Sequence, residues 1–189
     1  MKDKMEGHHL ILGQTTDFIT GEILEDTHDE RYRQNIARLL VNNKLYEKKD
    51  IKPHYDLLAQ AGDKKAIIKV DFLISVETRI CMIIKYGPGS ITTRHRPALA
   101  VSRLVAGYQV PVVAVTNGVD ADILDGLTGK IISTGLDTIP AKPELIKLSA
   151  GFTFPLISET RAEAESRILY VYDVDGSCPC DNSICRIES

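Results

Sequence analysis

The fold is decided by the stretch Ala66-Ile-Ile-Lys-Val-Asp-Phe-Leu-Ile-Ser75 together with Arg79-Ile-Cys-Met-Ile-Ile-Lys-Tyr86. Both segments are rich in β-branched residues, which fit the pleated surface of a sheet. A short polar turn at 76–78 separates them. The pattern therefore predicts two adjacent strands of a β-hairpin.

Side-chain alternation assigns the faces of these two strands. In the first strand, one predicted face carries Ile67, Lys69, Asp71, Leu73 and Ser75, and the other carries Ile68, Val70, Phe72 and Ile74. In the second strand, Cys81, Ile83 and Lys85 share a face. Because a hairpin places its strands side by side, we expect Asp71 and Lys85 to point toward one spot.

The segments on either side of the hairpin predict an α/β domain with a mixed sheet. The predicted elements are a hairpin over about 8–24, a helix over about 28–43, strands at 55–59, 110–116, 123–124 and 130–133, and helices at 97–106, 143–149 and 158–170. The first helix begins at a capping-box pattern, Thr27-His-Asp-Glu30. The helix at 97–106 would be the right-handed crossover between two parallel strands. We expect one domain over 1–176, with its core at about 28–135 and its C-terminal helices at about 143–172, and then a Cys-rich tail over 177–189.

Composition restricts the class of protein. Of the 189 residues, 43% are hydrophobic and 26% are charged, as in globular domains. No run of about 18 apolar residues and no signal-peptide core is present, so we expect a cytoplasmic protein with no membrane contact. The net charge is −3. Contact with nucleic acid would therefore require a local basic patch.

Three residues form the candidate catalytic set, namely Glu30, Asp71 and Lys85. Two carboxylates can hold Mg²⁺, which polarises a phosphodiester, and a lysine can orient water and offset negative charge. Each residue also has a structural interpretation. Glu30 can close the capping box, and Lys85 can pair with Asp71 as a buried ion pair.

The order of these residues resembles the PD-(D/E)XK nuclease superfamily. More narrowly, the chain resembles the N-terminal domain of type I restriction enzyme R subunits over about residues 15–148. The stretches that carry the resemblance are Asp17-Phe-Ile-Thr-Gly-Glu22, Glu30-Arg-Tyr-Arg-Gln34, Lys69-Val-Asp-Phe-Leu73, Arg96-Pro-Ala-Leu-Ala100 and Val115-Thr-Asn-Gly118. The blocks Lys85-Tyr-Gly-Pro-Gly-Ser90 and Thr93-Arg-His-Arg-Pro97 resemble small stand-alone bacterial proteins that carry this domain.

This resemblance implies a restriction-endonuclease-like αβββαβ core with helices on both faces of the sheet. It also implies a Mg²⁺-dependent endodeoxyribonuclease, with Glu30 and Asp71 as metal ligands, DNA as partner, and a homodimer or a larger restriction or repair complex. One departure bears on activity: Ile83 stands where the pattern has an acid, and isoleucine cannot bind Mg²⁺. We therefore expect cleavage to be weak or lost. We also expect no ATP binding, because Gly129-Lys130 lacks the rest of a P-loop.

A basic patch follows the hairpin. Arg94 and Arg96 flank His95, and Arg103 lies on the next helical segment. A run of charge is usually a solvated face, but this one adjoins Lys85. We therefore assign Arg94, Arg96 and Arg103 as candidate phosphate contacts.

The tail carries Cys178, Cys180 and Cys185 as C-P-C-x4-C. Three thiolates can bind Zn²⁺ or contribute to an iron–sulfur cluster, with a fourth ligand from His8, His9, Asp181 or a second chain. The tail can equally be a segment that carries thiols without metal. The alternative function is a non-enzymatic interaction module, or a metal- or thiol-binding module, that uses this tail.

Overall fold

The computed structural model describes residues 11–175 and 184–187. Within them, the strands are β1 (Gln14–Thr16), β2 (Ile23–Glu25), β3 (Ile51–Ala61), β4 (Lys64–Val76), β5 (Arg79–Tyr86), β6 (Val112–Thr116), β7 (Ala121–Asp125), β8 (Ile131–Thr134) and β9 (Ile184–Ile187). The α-helices are α1 (His28–Arg38), α2 (His95–Leu104), α3 (Lys142–Ser149) and α4 (Glu159–Leu169). No helix in these described ranges has the length and apolar character needed to cross a membrane.

One seven-stranded sheet organises the chain, in the order β3-β4-β5-β6-β7-β8, with β9 also paired to β4. The pair β5–β6 is parallel, and the other pairs are antiparallel. Because α2 lies between β5 and β6 in the chain, it makes the predicted crossover. The mixed α/β sheet and the order α1-β3-β4-β5-α2-β6 are as the sequence predicts.

Both faces of the sheet are covered by helices. On one face, residues of α1 and α3 pack with Phe72, Ile74, Met82, Ile84 and Ala114. On the other face, residues of α2 and α4 pack with Ile68, Val70, Leu73, Ile83 and Val113. A sheet buried on both sides needs near-continuous apolar strands, and this explains the unbroken hydrophobic runs of β5 and β6.

The helix α1 begins where the capping pattern predicts. The Thr27 hydroxyl accepts a hydrogen bond from the Glu30 backbone N–H at 3.1 Å. The helix continues as a π-helical turn over Leu39–Asn43, so the helical segment ends where the periodicity predicts. The Glu30 side chain does not return to the cap; it faces Gln34 and Arg33 instead.

Three predicted elements differ from the structure. The N-terminal hairpin, predicted over about 8–24, pairs Gln14–Thr16 with Ile23–Glu25, and Asp17 lies in its turn. The strand predicted at 55–59 extends over Ile51–Ala61. Residues 184–187, which lie in the predicted Cys-rich tail, form β9, because β4 continues past the end of β5 and leaves an edge that can accept another strand.

The faces of β4 change at Asp71. Val70 belongs to the core beneath α2 and α4, whereas Phe72 belongs to the core beneath α1 and α3. The expectation that Val70 and Phe72 share a face is therefore wrong. At the same point of the paired strand, the regular register is interrupted: Pro53 pairs with Phe72 and Tyr55 with Val70, and His54 between them has a left-handed backbone with φ 49°.

Candidate functional site

The carboxylate of Asp71 lies where β4 separates from β5. Its Oδ2 accepts a hydrogen bond from the backbone N–H of Tyr86 at 2.8 Å, in place of a strand carbonyl. Its Oδ1 accepts from Nε of Arg33 at 2.6 Å. Both oxygens of this buried carboxylate thus have donors, as a buried charge requires.

Arg33 joins Asp71 to Glu30. Its Nη1 lies 3.5 Å from Oε2 of Glu30, and its guanidinium lies over the Tyr86 ring, 5.1 Å from the centroid. Burial alone would lower the pKa of Arg33, but the nearby carboxylates, Asp71 first, outweigh burial and raise it. A permanent cation therefore lies between the two carboxylates that the sequence assigns to Mg²⁺, and these residues, as arranged, do not fit a metal ion.

Lys85 lies on the other face of the sheet. Its Nζ donates to Oδ2 of Asp173, in the π-helical turn Tyr170–Asp175, and both side chains are buried. The second oxygen of Asp173, Oδ1, is buried without a hydrogen-bond partner among the described residues. Ile83 shares this face, is fully buried, and pairs in register with Leu73.

The structure thus brings Glu30 and Asp71 together and keeps Lys85 apart from them. The expected convergence of Asp71 and Lys85 is not observed, and neither is the alternative ion pair between them, because each has another partner. The break in alternation at Asp71 is the physical reason. The catalytic roles of the three residues remain predictions.

Two arginines of the predicted basic patch bind a buried carboxylate. Arg96 donates to Oε2 of Glu165 at 2.6 Å, and Arg103 donates to Oε1 at 2.9 Å. Burial alone would raise the pKa of Glu165, but these arginines and Arg161 lower it. Burial also lowers the pKa of Arg103. These ion pairs join α2 to α4, and the phosphate contacts of Arg96 and Arg103 remain predictions.

Arg94 differs from the other two arginines. Its side chain has no hydrogen bond or ion pair within the described residues, and it is partly exposed. It lies over Gly87, the residue after β5; a Cβ on Gly87 would be 3.0 Å from Nε of Arg94. The absence of a side chain at Gly87 thus makes room for this guanidinium beside the end of β5.

Sequence reasoning missed Arg33 and Asp173. A signal for Arg33 existed, because residues three apart on a helix share a face, and Arg33 follows Glu30 by three. No local signal marks Asp173, since its partner lies 88 residues earlier in the chain.

The cysteine tail is only partly within the described residues. Cys185 is exposed on β9, where it pairs in register with Ile67 of β4. Cys178 and Cys180 lie outside the described residues, as do His8, His9 and Asp181. The predicted Zn²⁺ or iron–sulfur site therefore remains a prediction.

Comparison with protein-family models matches residues 28–140 to the family described as type I restriction enzyme R protein N terminus. The matched range runs from the start of α1 to two residues before α3, and it includes Glu30, Asp71 and Lys85 but not Asp173. No curated protein and no solved structure matches the chain significantly.

Proposed function

Because the chain belongs to the family of the type I restriction enzyme R protein N terminus, we propose that it handles DNA through phosphate contacts, with Mg²⁺-dependent cleavage weak or lost. The observation that carries this proposal is the guanidinium of Arg33 between Glu30 and Asp71. A cation of the protein stands where a catalytic metal would have to bind.

Two further features support the loss of cleavage. Ile83 replaces the acid of the resembled pattern, and it is packed in the core rather than at the edge of a cleft. The ammonium of Lys85 is buried and paired with Asp173, so it cannot contact a phosphate while this pair is intact. Cleavage would therefore require the displacement of Arg33 and the separation of a buried ion pair.

Arg94 is the residue that best fits a phosphate contact. It is the member of the predicted patch that has no carboxylate partner within the described chain. It lies beside the ends of the parallel strands β5 and β6, where open α/β sheets commonly bind ligands. Arg33, whose side chain is 20% exposed, lies at the same edge. Of the two, the guanidinium of Arg94 can approach a phosphate backbone without breaking an ion pair within the described chain.

Fluorescence anisotropy of a labelled DNA duplex, measured over a range of salt concentrations, tests the binding proposal. We expect affinity to fall with salt, and Arg94→Ala to weaken binding to all sequences and reduce the salt slope by about one. The matched control is Arg167→Ala, which removes an exposed arginine from α4. No binding at low salt, or an equal effect of both variants, would contradict the proposal.

Nicking of supercoiled plasmid with Mg²⁺ or Mn²⁺ tests the loss of cleavage. We expect little or no cleavage by the unmodified chain. Robust cleavage that Asp71→Ala abolishes would show that Glu30, Asp71 and main-chain groups suffice for catalysis. That result would overturn the proposal that the site is inactive.

A further inference from the structure

Three metal-binding side chains from three separate elements meet at the edge of α1. They are Asp17 in the turn after β1, Glu30 in α1 and His54 in β3. One ligand atom from each lies within 4.8 Å of the other two. Nε2 of His54 is 3.3 Å from Oδ2 of Asp17 and 4.0 Å from Oε1 of Glu30.

Contacts from outside the cluster fix the orientation of these side chains. Oδ1 of Asp17 accepts from the backbone N–H groups of Ile19 and Thr20, and this leaves Oδ2 directed at His54. The Gln34 carbonyl accepts from the backbone N–H of Phe18 at 2.7 Å, so the Gln34 amide nitrogen must face the carboxylates.

The amide nitrogen of Gln34 donates to both carboxylates of the cluster. It lies 2.9 Å from Oδ2 of Asp17 and 2.7 Å from Oε1 of Glu30. Metal-ligating carboxylates commonly accept such outer hydrogen bonds, which orient them toward the ion. Gln34 therefore has the position of an outer-shell residue.

The cluster has more negative charge than its neighbours offset. Asp17 and Glu30 are both buried, at 2% and 7% exposure. Arg33 contacts only the far oxygen of Glu30 and is shared with Asp71. Two carboxylates thus converge on one imidazole, and a buried charge excess of this kind is costly without a cation.

We propose that Asp17, Glu30 and His54 bind one divalent first-row transition-metal ion, with Zn²⁺ as the representative. One imidazole and two carboxylates suit such an ion, and three protein ligands leave a position for water. The set differs from the magnesium pair of Glu30 and Asp71, and it does not depend on DNA handling. The ion would tie the β1–β2 turn to α1 and β3, and the partly exposed His54 leaves a route for its entry.

The test is calorimetric titration of Zn²⁺ into full-length protein that was purified without a histidine tag. Other candidate ligands are first removed in a common background: Cys178→Ser, Cys180→Ser, Cys185→Ser, His8→Ala and His9→Ala. We expect one ion per chain in this background. His54→Ala should weaken binding by more than the roughly 10–100-fold that loss of an outer-shell partner costs.

The matched control is His95→Ala. His95 also pairs with a carboxylate, Asp122 at 2.8 Å, but it lies outside the cluster, so its loss should leave Zn²⁺ affinity unchanged. Asp17→Asn keeps an oxygen for the turn and removes one ligand charge; it should also weaken binding while the circular dichroism spectrum stays that of the folded chain. Zn²⁺ should raise the Tm of the background protein but not that of either cluster variant. Absence of binding in the background, or equal binding by the His54 and His95 variants, overturns the proposal.

Discussion

Two buried ion-pair systems lie on opposite faces of the sheet, and they satisfy their charges differently. On the α1 face, Arg33 is shared by Glu30 and Asp71, and each oxygen of Asp71 has a donor. On the α4 face, Lys85 has a single ion-pair partner, Asp173, and one oxygen of that partner has none among the described residues. The comparison shows that Glu30 and Asp71 contact one guanidinium on one face of the sheet, whereas Lys85 is paired on the other face. Their catalytic roles remain predictions.

The largest expected effect on stability comes from placing an acid on the face of the sheet that carries Lys85. Ile83→Glu would bury a carboxylate within the core beneath α2, and we expect it to lower the free energy of unfolding by about 4 kcal/mol or more. Urea denaturation measures this loss. Ile83→Val, the matched control, should cost only about 0.5–1.5 kcal/mol. A folded Ile83→Glu variant that gains Mg²⁺ affinity would show instead that this position borders a metal site.

Asp173→Ala tests the pair itself. It leaves the ammonium of Lys85 buried without a partner, and the free energy of unfolding should fall by about 3–5 kcal/mol. The double variant Lys85→Met with Asp173→Leu should recover most of that loss, because it removes both charges. If the single variant unfolds at the same urea concentration as the unmodified chain, Lys85 has another acceptor. The ion pairs on the two faces would then both have alternative partners.

Asp71→Ala should have a smaller effect on the α1 face. It removes the partner of Arg33 and the acceptor for the Tyr86 N–H, and we expect a loss of about 2–3 kcal/mol, since Arg33 is partly exposed and can rehydrate. Asp71→Asn keeps an acceptor for Tyr86 and should cost less in the same denaturation assay. If both variants lose the same free energy of unfolding, the negative charge of Asp71 contributes nothing beyond its hydrogen bond to the Tyr86 N–H.

The smallest expected effect is on how the stability of the protein depends on pH. Glu165, on the α4 face, has a pKa below its usual value because Arg96, Arg103 and Arg161 outweigh its burial. A lowered folded pKa stabilises the protein above the usual carboxyl pKa, and this stabilisation is lost as pH falls through the lowered value. Thermal unfolding from pH 7 to pH 3 should therefore show a shallower decline for Glu165→Gln than for the unmodified chain. Parallel declines would argue against this contribution.

Local patterns predicted the framework of the fold. The Thr27 cap, the β-branched hairpin and the apolar crossover helix each depend on residues close together in the chain, and each is present. The strand β9 was not predicted, because four residues form a strand there only when the distant edge of β4 is available. Local propensity carries no information about such a partner.

The site was predictable in part. The resemblance predicted that Glu30 and Asp71 lie near each other, and in the structure both contact one guanidinium. Strict alternation failed at Asp71 in β4, beside the left-handed backbone of His54, and at Cys81 in β5, which lies in the opposite core from Ile83. Lys85 and Ile83 share a face, as alternation predicts, but the pairing of Lys85 with Asp173 depends on a contact far along the chain. The two-residue period of a strand cannot predict that contact.

The strand β9 also affects how the chain folds. Lys65 to Ile68 of β4 pair with residues 184–187, which are far along the chain, so this ladder is a non-local contact of the kind that forms slowly. Until it closes, the N-terminal half of β4 presents unpaired backbone groups on the side that β9 will cover, and a strand of another molecule could add there. Slow docking of β9 would thus be the step of folding at which aggregation competes most strongly.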